Sequence, residues 1–491
     1  MIQDQGRHTL ISAVTVAGIG VVALVLLAIQ LPADPATGVT ASDSPFTDEG
    51  WYLLGARNQA LLGRFITDDW QLSWAHLPFT VVAAGVFEIF GVGVVQARAL
   101  SIVFSVATVV LATALVARRL GMAAGIVAGT ALATSALLLY YGRLGTLEPM
   151  VMVLLVIGLV LLLSRASDRP GWRGIAAGAA LALAIGTKPS AAPAVAGIIL
   201  GAIAAGRAVP GLRHRALASV AAIALAGAAW AILVIPQPGA VESILRIWAV
   251  QAPPESAIAV AWRVIDYFSQ SDGAITLAAP LMVGSLLGIV LIGARWRSVE
   301  AHDRACAGAA IGWFVFGMAT LLVASYRPSR YVLPLLPAMA ILTGFGVALA
   351  LGWVREHLAV ARRPAVAAAV IVALSIGAAA PGIGAVAGWT ASATLRLPQI
   401  QAELLELMTD GHAVEGALGP TFAMRVPVPA IVVRPGLNDG DAYDAHGVRW
   451  LLDDPAVTPT WADEHPDAWA ARDVIACYPW PIGEACLIRV P

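Results

Sequence analysis

The stretch Leu77-Pro-Phe-Thr-Val-Val-Ala-Ala-Gly-Val-Phe-Glu-Ile-Phe-Gly-Val-Gly-Val-Val95 decides how this chain is threaded. It approaches the 20 or so apolar residues that span a bilayer, yet it holds Pro78 and Glu88. The arginines on either side settle whether it crosses, because cytoplasmic loops concentrate Lys and Arg. Short loops further along carry Arg118 and Arg119; Arg165, Arg169 and Arg173; Arg207, Arg213 and Arg215; Arg295, Arg297 and Arg304; and Arg355, Arg362 and Arg363. If Leu77–Val95 stays on the outer side, all of these share a side with the Arg7 head. If it crosses, all of them lie opposite. The stretch is therefore expected along the outer face or dipping into it.

The rest of the composition agrees with a membrane chain. Of 491 residues, 59% are apolar and 12% charged, against about 25% charged in soluble proteins. A soluble enzyme, a nucleic-acid binder and a disordered scaffold are excluded. The net charge of −1 gives no bulk field for a polyanionic partner, so no nucleic acid is expected. Three cysteines are too few for a disulfide framework or a thiolate metal site. The first apolar run, Leu10 to Leu31, exceeds the 7–15 residues of a signal-peptide core and reads as a retained span. Ten more are expected at 98–118, 122–141, 149–164, 174–188, 190–206, 215–235, 275–294, 305–325, 331–352 and 364–388. The expectation is an all-α polytopic membrane protein of about eleven spans, N-terminus cytoplasmic and C-terminus outside.

Three outer segments are too long to be turns. The first outer loop, 32–97, is expected to hold amphipathic helices, one of them from Trp51 to Phe65. The second, Pro236 to about Ala274, mixes Trp248, Trp262 and Tyr267 with Arg246 and Arg263, a composition suited to an interface. The third divides the chain into a membrane domain, 1–388, and a C-terminal part, 389–491. There charged residues, Pro and aromatics replace the Ala/Val/Leu text, and runs such as Ala430–Val433 and Leu487–Val490 read as strands. A linker around Thr390–Pro398 would join a small extracytoplasmic α/β domain. Cys477 and Cys486 lie within it, either bridged across a terminal hairpin or as two separate thiols.

Ionisable groups beside hydrocarbon are costly and mark candidate sites. On the expected outer face they fall into a few short motifs. Asp48 and Glu49 stand in Pro45-Phe-Thr-Asp-Glu-Gly-Trp-Tyr, and Glu148 in Tyr140-Tyr-Gly-Arg-Leu-Gly-Thr-Leu-Glu-Pro, with Arg143 five residues before it. Each acid, taken alone, also suits a helix N-terminus, where the dipole favours it by about 0.3–1 kcal/mol. Lys188, in Thr187-Lys-Pro-Ser, is the one lysine in a chain that writes every other base as arginine. A lysine is a compact point charge suited to a phosphate, and equally a base that snorkels from a helix end. Ser325-Tyr-Arg-Pro-Ser-Arg-Tyr-Val-Leu-Pro brings Arg327, Arg330 and Tyr331 to another outer hairpin, and Arg98 opens the span after Leu77–Val95. Two carboxylates and several cations on one face suit transfer from a membrane-anchored phosphate, with a carboxylate as base for a hydroxyl acceptor.

In order and sidedness these motifs resemble those of the GT-C glycosyltransferases that use polyprenyl-phosphate sugars, in the branch of protein O-mannosyltransferases and lipid A aminoarabinose transferases. The likeness covers about residues 10–350 and leaves out the C-terminal domain. It implies that Asp48 is the general base on the acceptor hydroxyl, with Glu49 in support, and that Glu148 orients donor or acceptor. Arg98 matches an essential arginine of the mannosyltransferase branch. Lys188 and Tyr331 would hold the lipid phosphate, with Arg327 and Arg330 as helpers by position. The family often shows Lys-Pro-Pro where this chain has His76-Leu77-Pro78, which leaves His76 as the substitute contact. The oligosaccharyltransferase branch binds a divalent metal, for which Asp48, Glu49, Glu148, Asp68 and Asp69 are the acids at hand. The branch resembled here generally needs none, so neither metal nor other cofactor is expected. The implied reaction is a single inverting displacement of a polyprenyl-phosphate donor by a glycan, lipid or protein hydroxyl at the cell membrane. The rival readings are a lipid or sugar transporter, a polyprenyl-diphosphate glycan polymerase or ligase, and a non-catalytic assembly subunit.

Overall fold

A computed structural model describes residues 2–37, 44–164, 170–249, 256, 258–259, 262, 274–323, 328–357, 363–433, 437–438, 442–452, 458–480 and 483–491. Its helices in chain order are α1 (Ile2–Ala28), α2 (Ser44–Leu62), α3 (Leu72–Ala75), α4 (Leu77–Phe90), α5 (Val94–Leu120), α6 (Met122–Ala133), α7 (Ala136–Tyr141), α8 (Glu148–Leu162) and α9 (Pro170–Thr187). They continue with α10 (Ala192–Ala205), α11 (Leu212–Val234), α12 (Ala240–Ala249), α13 (Ala274–Arg295), α14 (Ala301–Val323), α15 (Leu336–His357), α16 (Arg363–Ser392) and α17 (Arg396–Leu407). A short 3-10 helix, Ser329–Leu335, leads into α15.

The described residues of each expected span are mostly helical, and among the described residues seven helices are long and apolar enough to cross a membrane. These lie within α1, α5, α11, α13, α14, α15 with its 3-10 lead-in, and α16. The run 122–141 divides into α6 and α7 at Thr134 and Ser135.

The run Leu77–Val95 is not one helix. α4 has 14 residues, about 21 Å at 1.5 Å per residue, short of the roughly 30 Å of hydrocarbon in a bilayer. Gly91 ends it at φ 82°, a left-handed conformation that glycine accepts without a Cβ clash. Phe79, Ala83 and Phe87 are buried while Ile89 and Phe90 are exposed, and α4 packs on α2, α5 and α9. The first-loop helix also differs from expectation. α2 begins at Ser44, not Trp51, so Asp48 and Glu49 lie within the helix and not ahead of it.

The bundle closes on small residues. Gly197 and Gly201 of α10 face Gly312 and Gly308 of α14, two Gly-x-x-x-Gly pairs in register. A Cβ on Gly197 would lie 2.1 Å from the Gly312 carbonyl oxygen, and one on Gly201 2.0 Å from that of Gly308. In lipid, where apolar burial does not drive helices together, such close backbone approach is what gains packing contacts.

After α17 comes a five-stranded mixed sheet of β1 (Ala413–Glu415), β2 (Ala430–Ile431), β3 (Val448–Leu452), β4 (Asp473–Trp480) and β5 (Gly483–Arg489), in the order β2-β1-β3-β5-β4. β1 is parallel to β2 and β3, and β5 antiparallel to β3 and β4. The β4–β5 hairpin sets Cys477 opposite Cys486, and the two form a disulfide. Asp34, just after α1, anchors the start of this part. Its carboxylate accepts the backbone N–H groups of Arg396 (3.0 Å) and Leu397 (2.8 Å) at the start of α17, satisfying donors that an open helix end leaves free.

Candidate active site

Four separate segments bring charge to one end of the bundle, the end that bears the C-terminal sheet. α2 supplies Asp48. Glu148 is the first residue of α8, where Pro149 has no N–H to lose. Lys188 follows α9, and Pro189 restricts it to an extended conformation (φ −151°, ψ 109°), which ends that helix. The 3-10 helix before α15 supplies Arg330 and Tyr331.

The contacts form a continuous chain. Arg330 Nη2 lies 2.6 Å from Asp48 Oδ2, and its Nε is 3.5 Å from Glu148 Oε1. Lys188 Nζ donates to the same Glu148 oxygen at 2.5 Å. Lys188 Nζ also sits 3.8 Å from the centre of the Tyr331 ring, and the Arg330 guanidinium 5.3 Å from it, both within cation–π range. Asp48, Glu148, Lys188 and Arg330 are all buried. Two acids and two bases cancel in formal charge, as buried ions must to stay ionised.

Glu49, the neighbour of Asp48, points to a different face of α2. Its carboxylate receives a two-pronged fork from Arg98, Nε to Oε1 at 2.9 Å and Nη2 to Oε2 at 2.6 Å. It also accepts the Gly145 N–H at 2.7 Å, tying α2 to the loop that leads to Glu148. Arg98 Nη1 donates to the carbonyls of Leu31 (2.9 Å) and Ala33 (2.5 Å). With no exposed surface and four bonds already made, Arg98 does not reach the Lys188 cluster. Arg143 is likewise engaged: its guanidinium donates to the carbonyls of Ile29 (2.7 Å) and Gln30, and stacks 4.3 Å from the Trp389 ring. Burial lowers it to about 9. Arg327 lies outside the described residues.

His76 borders the cluster without adding charge to it. Its Nδ1–H donates to the Thr187 carbonyl at 2.9 Å, beside Lys188. Burial foremost, then the Lys188 charge, lowers it to about 4, so the ring is neutral at pH 7. Its ring meets that of Tyr52 edge-on at 5.4 Å. Tyr52 is a site residue that sequence reasoning passed over. It stands four residues after Asp48, the spacing that puts two side chains on one helix face. Burial foremost, then the Asp48 charge, holds its phenol well above the usual range, with Arg330 opposing. The spacing from Asp48 was the available signal.

Of the acids considered for a metal, Asp68 and Asp69 lie elsewhere. Asp68 accepts the Trp70 N–H at 2.6 Å and Asn438 Nδ2 at 3.2 Å, and the Asp69 N–H donates to Asn438 Oδ1. Among the described residues, the one group of metal-type side chains close enough to share an ion is Cys477, Glu484 and Cys486, and its two sulfurs are bonded to each other.

Residues 78–233 match the family model of dolichyl-phosphate-mannose-protein mannosyltransferases. No curated protein matches the chain in sequence. Among solved structures, ArnT from Cupriavidus metallidurans in its apo state is 16% identical, with 99% of this chain and 98% of ArnT covered at a TM-score of 0.63. ArnT bound to undecaprenyl phosphate gives 17% identity, 97% coverage of each chain and a TM-score of 0.59. The archaeal oligosaccharyltransferase AglB from Archaeoglobus fulgidus, in complex with an inhibitory peptide and a dolichol-phosphate, is 11% identical, with 96% of this chain and 74% of AglB covered at 0.57. The chain therefore shares the fold of ArnT over nearly its whole length, and residues 78–233 are similar to the mannosyltransferase family model.

Proposed function

We propose that this chain is a membrane glycosyltransferase that moves a sugar from a polyprenyl-phosphate donor to a hydroxyl on a glycan, lipid or protein at the outer face. One observation carries the reading: the buried Asp48, Glu148, Lys188 and Arg330 and the half-buried Tyr331, from four segments far apart in sequence, meet in one cluster. The fold supports it, since ArnT binds undecaprenyl phosphate and AglB a dolichol-phosphate.

The donor phosphate carries a negative charge, and it competes with the two carboxylates for Lys188 and Arg330. As Arg330 turns to the phosphate, Asp48 loses its ion-pair partner and becomes available as a base. Asp48 then takes the proton from the acceptor hydroxyl. That oxygen bonds to the anomeric carbon as the bond from that carbon to the phosphate oxygen breaks on the opposite face, inverting the centre. Polyprenyl phosphate leaves as an anion held by Lys188 and Arg330, preformed charges of the kind that stabilise a leaving group. Glu148 holds Lys188 in place. Glu49 and Arg98 fix α2 against the Glu148 loop and do not touch the donor. The chemistry asks for neither nucleotide nor metal. A transporter would place its polar site near the bilayer midplane, whereas these groups gather at hairpin ends.

The test is donor affinity. Polyprenyl-phosphate mannose, arabinose and glucose are offered in turn to the purified protein in detergent, and affinity is compared with that of Lys188→Met. Loss of one charged hydrogen bond predicts about 10–100-fold weaker donor binding. Equal affinity would remove Lys188 from the donor site, and no binding of any donor by the wild type would remove the reading.

A further inference from the structure

The helix that carries Asp48 is gripped along another face by the C-terminal domain. Gly50 is pressed against Thr421, so that a Cβ there would lie 2.4 Å from both the Thr421 nitrogen and its Oγ1. Trp51 Nε1 donates to the Ala417 carbonyl at 2.8 Å, and Thr421 Oγ1 donates to the Thr47 carbonyl at 3.2 Å. Phe46 and Phe422 both meet Trp480 edge-on, at 5.3 and 4.8 Å.

Arg57 completes the grip. Its side chain is almost wholly buried, and its guanidinium is enclosed by backbone carbonyls of one loop of the C-terminal domain. Nε donates to Met424 (3.0 Å), and Nη2 to Ala423 (3.0 Å), Val428 (2.8 Å) and Val426. Nη1 donates to Asn58 Oδ1 at 2.7 Å. A planar fork with five donors is the side chain that can collect this many carbonyls. Arg57 lies nine residues beyond Asp48, about 13 Å along the helix, too far to touch a reacting atom.

We propose that the C-terminal domain positions the catalytic base, with Arg57 as the positioning residue that locks α2, and with it Asp48 and Tyr52, against the cluster. Lys188, Glu148 and Arg330 ride on other segments, so the lock sets where the base stands and leaves the donor phosphate contacts intact. The inference rests on reading Asp48 as the base, and a misplacement of about 1 Å in such a group costs on the order of 100-fold in rate.

The full-length protein in detergent supplies the test, with Arg57→Gln, Arg57→Lys and Gly50→Ala. Gly50→Ala wedges the same contact without changing charge. Arg57→Gln and Gly50→Ala should lower kcat by about 10–100-fold while KM for the polyprenyl-phosphate sugar stays within about threefold, and Arg57→Lys should recover part of the loss. Amide hydrogen exchange over residues 46–56 should rise in both, with no change around Lys188 and Arg330. Wild-type kcat in both variants, or kcat and donor affinity falling together, would overturn the proposal. Unchanged exchange in α2 would overturn it whether or not the wild type turns over the donor. A wild type that binds no donor would instead count against the transferase reading.

Discussion

Replacing Arg98 with Leu separates two roles for this arginine, donor phosphate binder and structural tie. The side chain has no exposed surface and makes four hydrogen bonds, two to Glu49 and two to the carbonyls of Leu31 and Ala33. In Arg98→Leu the buried Glu49 carboxylate keeps the Gly145 N–H as its one remaining bond among those described. Breaking a buried ion pair by removing one partner costs about 3–5 kcal/mol, a large part of the 5–15 kcal/mol that typically holds a domain folded. Glu49→Leu should cost a similar amount, since it leaves the buried guanidinium with only the Leu31 and Ala33 carbonyls and no counter-charge among the bonds described. The double variant removes both charges, so it should be less destabilised than the sum of the two, with a coupling of about 1–3 kcal/mol. Thermal unfolding of the four proteins in detergent, read by loss of the monodisperse species, gives the cycle. Additivity within about 0.5 kcal/mol would refute the tie. So would an Arg98→Leu protein of wild-type stability with a raised KM for the donor, which would return Arg98 to the phosphate.

Three further outcomes are expected. Burial pushes the Glu415 carboxyl of β1 up from 4.5 to about 7. The folded state thus holds this proton more tightly than the unfolded chain, and the stability so gained, about 3 kcal/mol, is full below pH 4.5 and lost as pH rises through 7. Glu415→Gln should flatten the fall of the thermal midpoint between pH 5 and 8, and an unchanged slope would count against it. His76, lowered to about 4, stays neutral through the working range, so His76→Gln should leave the shape of the pH–rate profile between pH 5 and 8 as it is. Loss of an acid limb in that range would show that His76 titrates there. Gly201→Leu should destabilise the bundle by more than the 1–3 kcal/mol usual for overpacking, because the Gly308 carbonyl blocks even a Cβ. Gly227→Leu on α11, where nothing lies within 4 Å, should be near neutral. Equal midpoints for these two variants would contradict the α10–α14 contact.

The membrane character and the apolar helices were legible because runs of apolar residues long enough to cross a bilayer are visible in the string itself. Lys188 stood out because a single lysine among arginines is visible in a string, and its motif matched a known order of motifs. The partner of Arg98 was not legible. A buried arginine next to a phosphate site and one forked onto a carboxylate look the same in sequence, and the partner, Glu49, is 49 positions away. Within the Asp48-Glu49 pair the two acids turn to different partners, because neighbouring residues on a helix point about 100° apart. The early start of α2 escaped because Pro45 and Thr47 read as loop text, while tertiary packing of Phe46 on Trp480 favours helix. The Gly-x-x-x-Gly pairs of α10 and α14 were visible as text, but the neutral Ala/Gly background hid which pairs face each other. The Arg57 cage could not be read at all, since its acceptors are backbone carbonyls and carry no sequence signature.

Asp48 as the base of a lipid-phosphosugar transferase can be tested by turnover. Release of polyprenyl phosphate from polyprenyl-phosphate mannose is followed for the purified protein, with a membrane extract as acceptor and Asp48→Asn alongside. The arabinose and glucose donors are run in parallel. A general base contributes about 10²–10⁴ in rate, so the wild type should release polyprenyl phosphate and Asp48→Asn should fall by at least about 100-fold while still binding the donor. Equal release by the two proteins would remove Asp48 as the base.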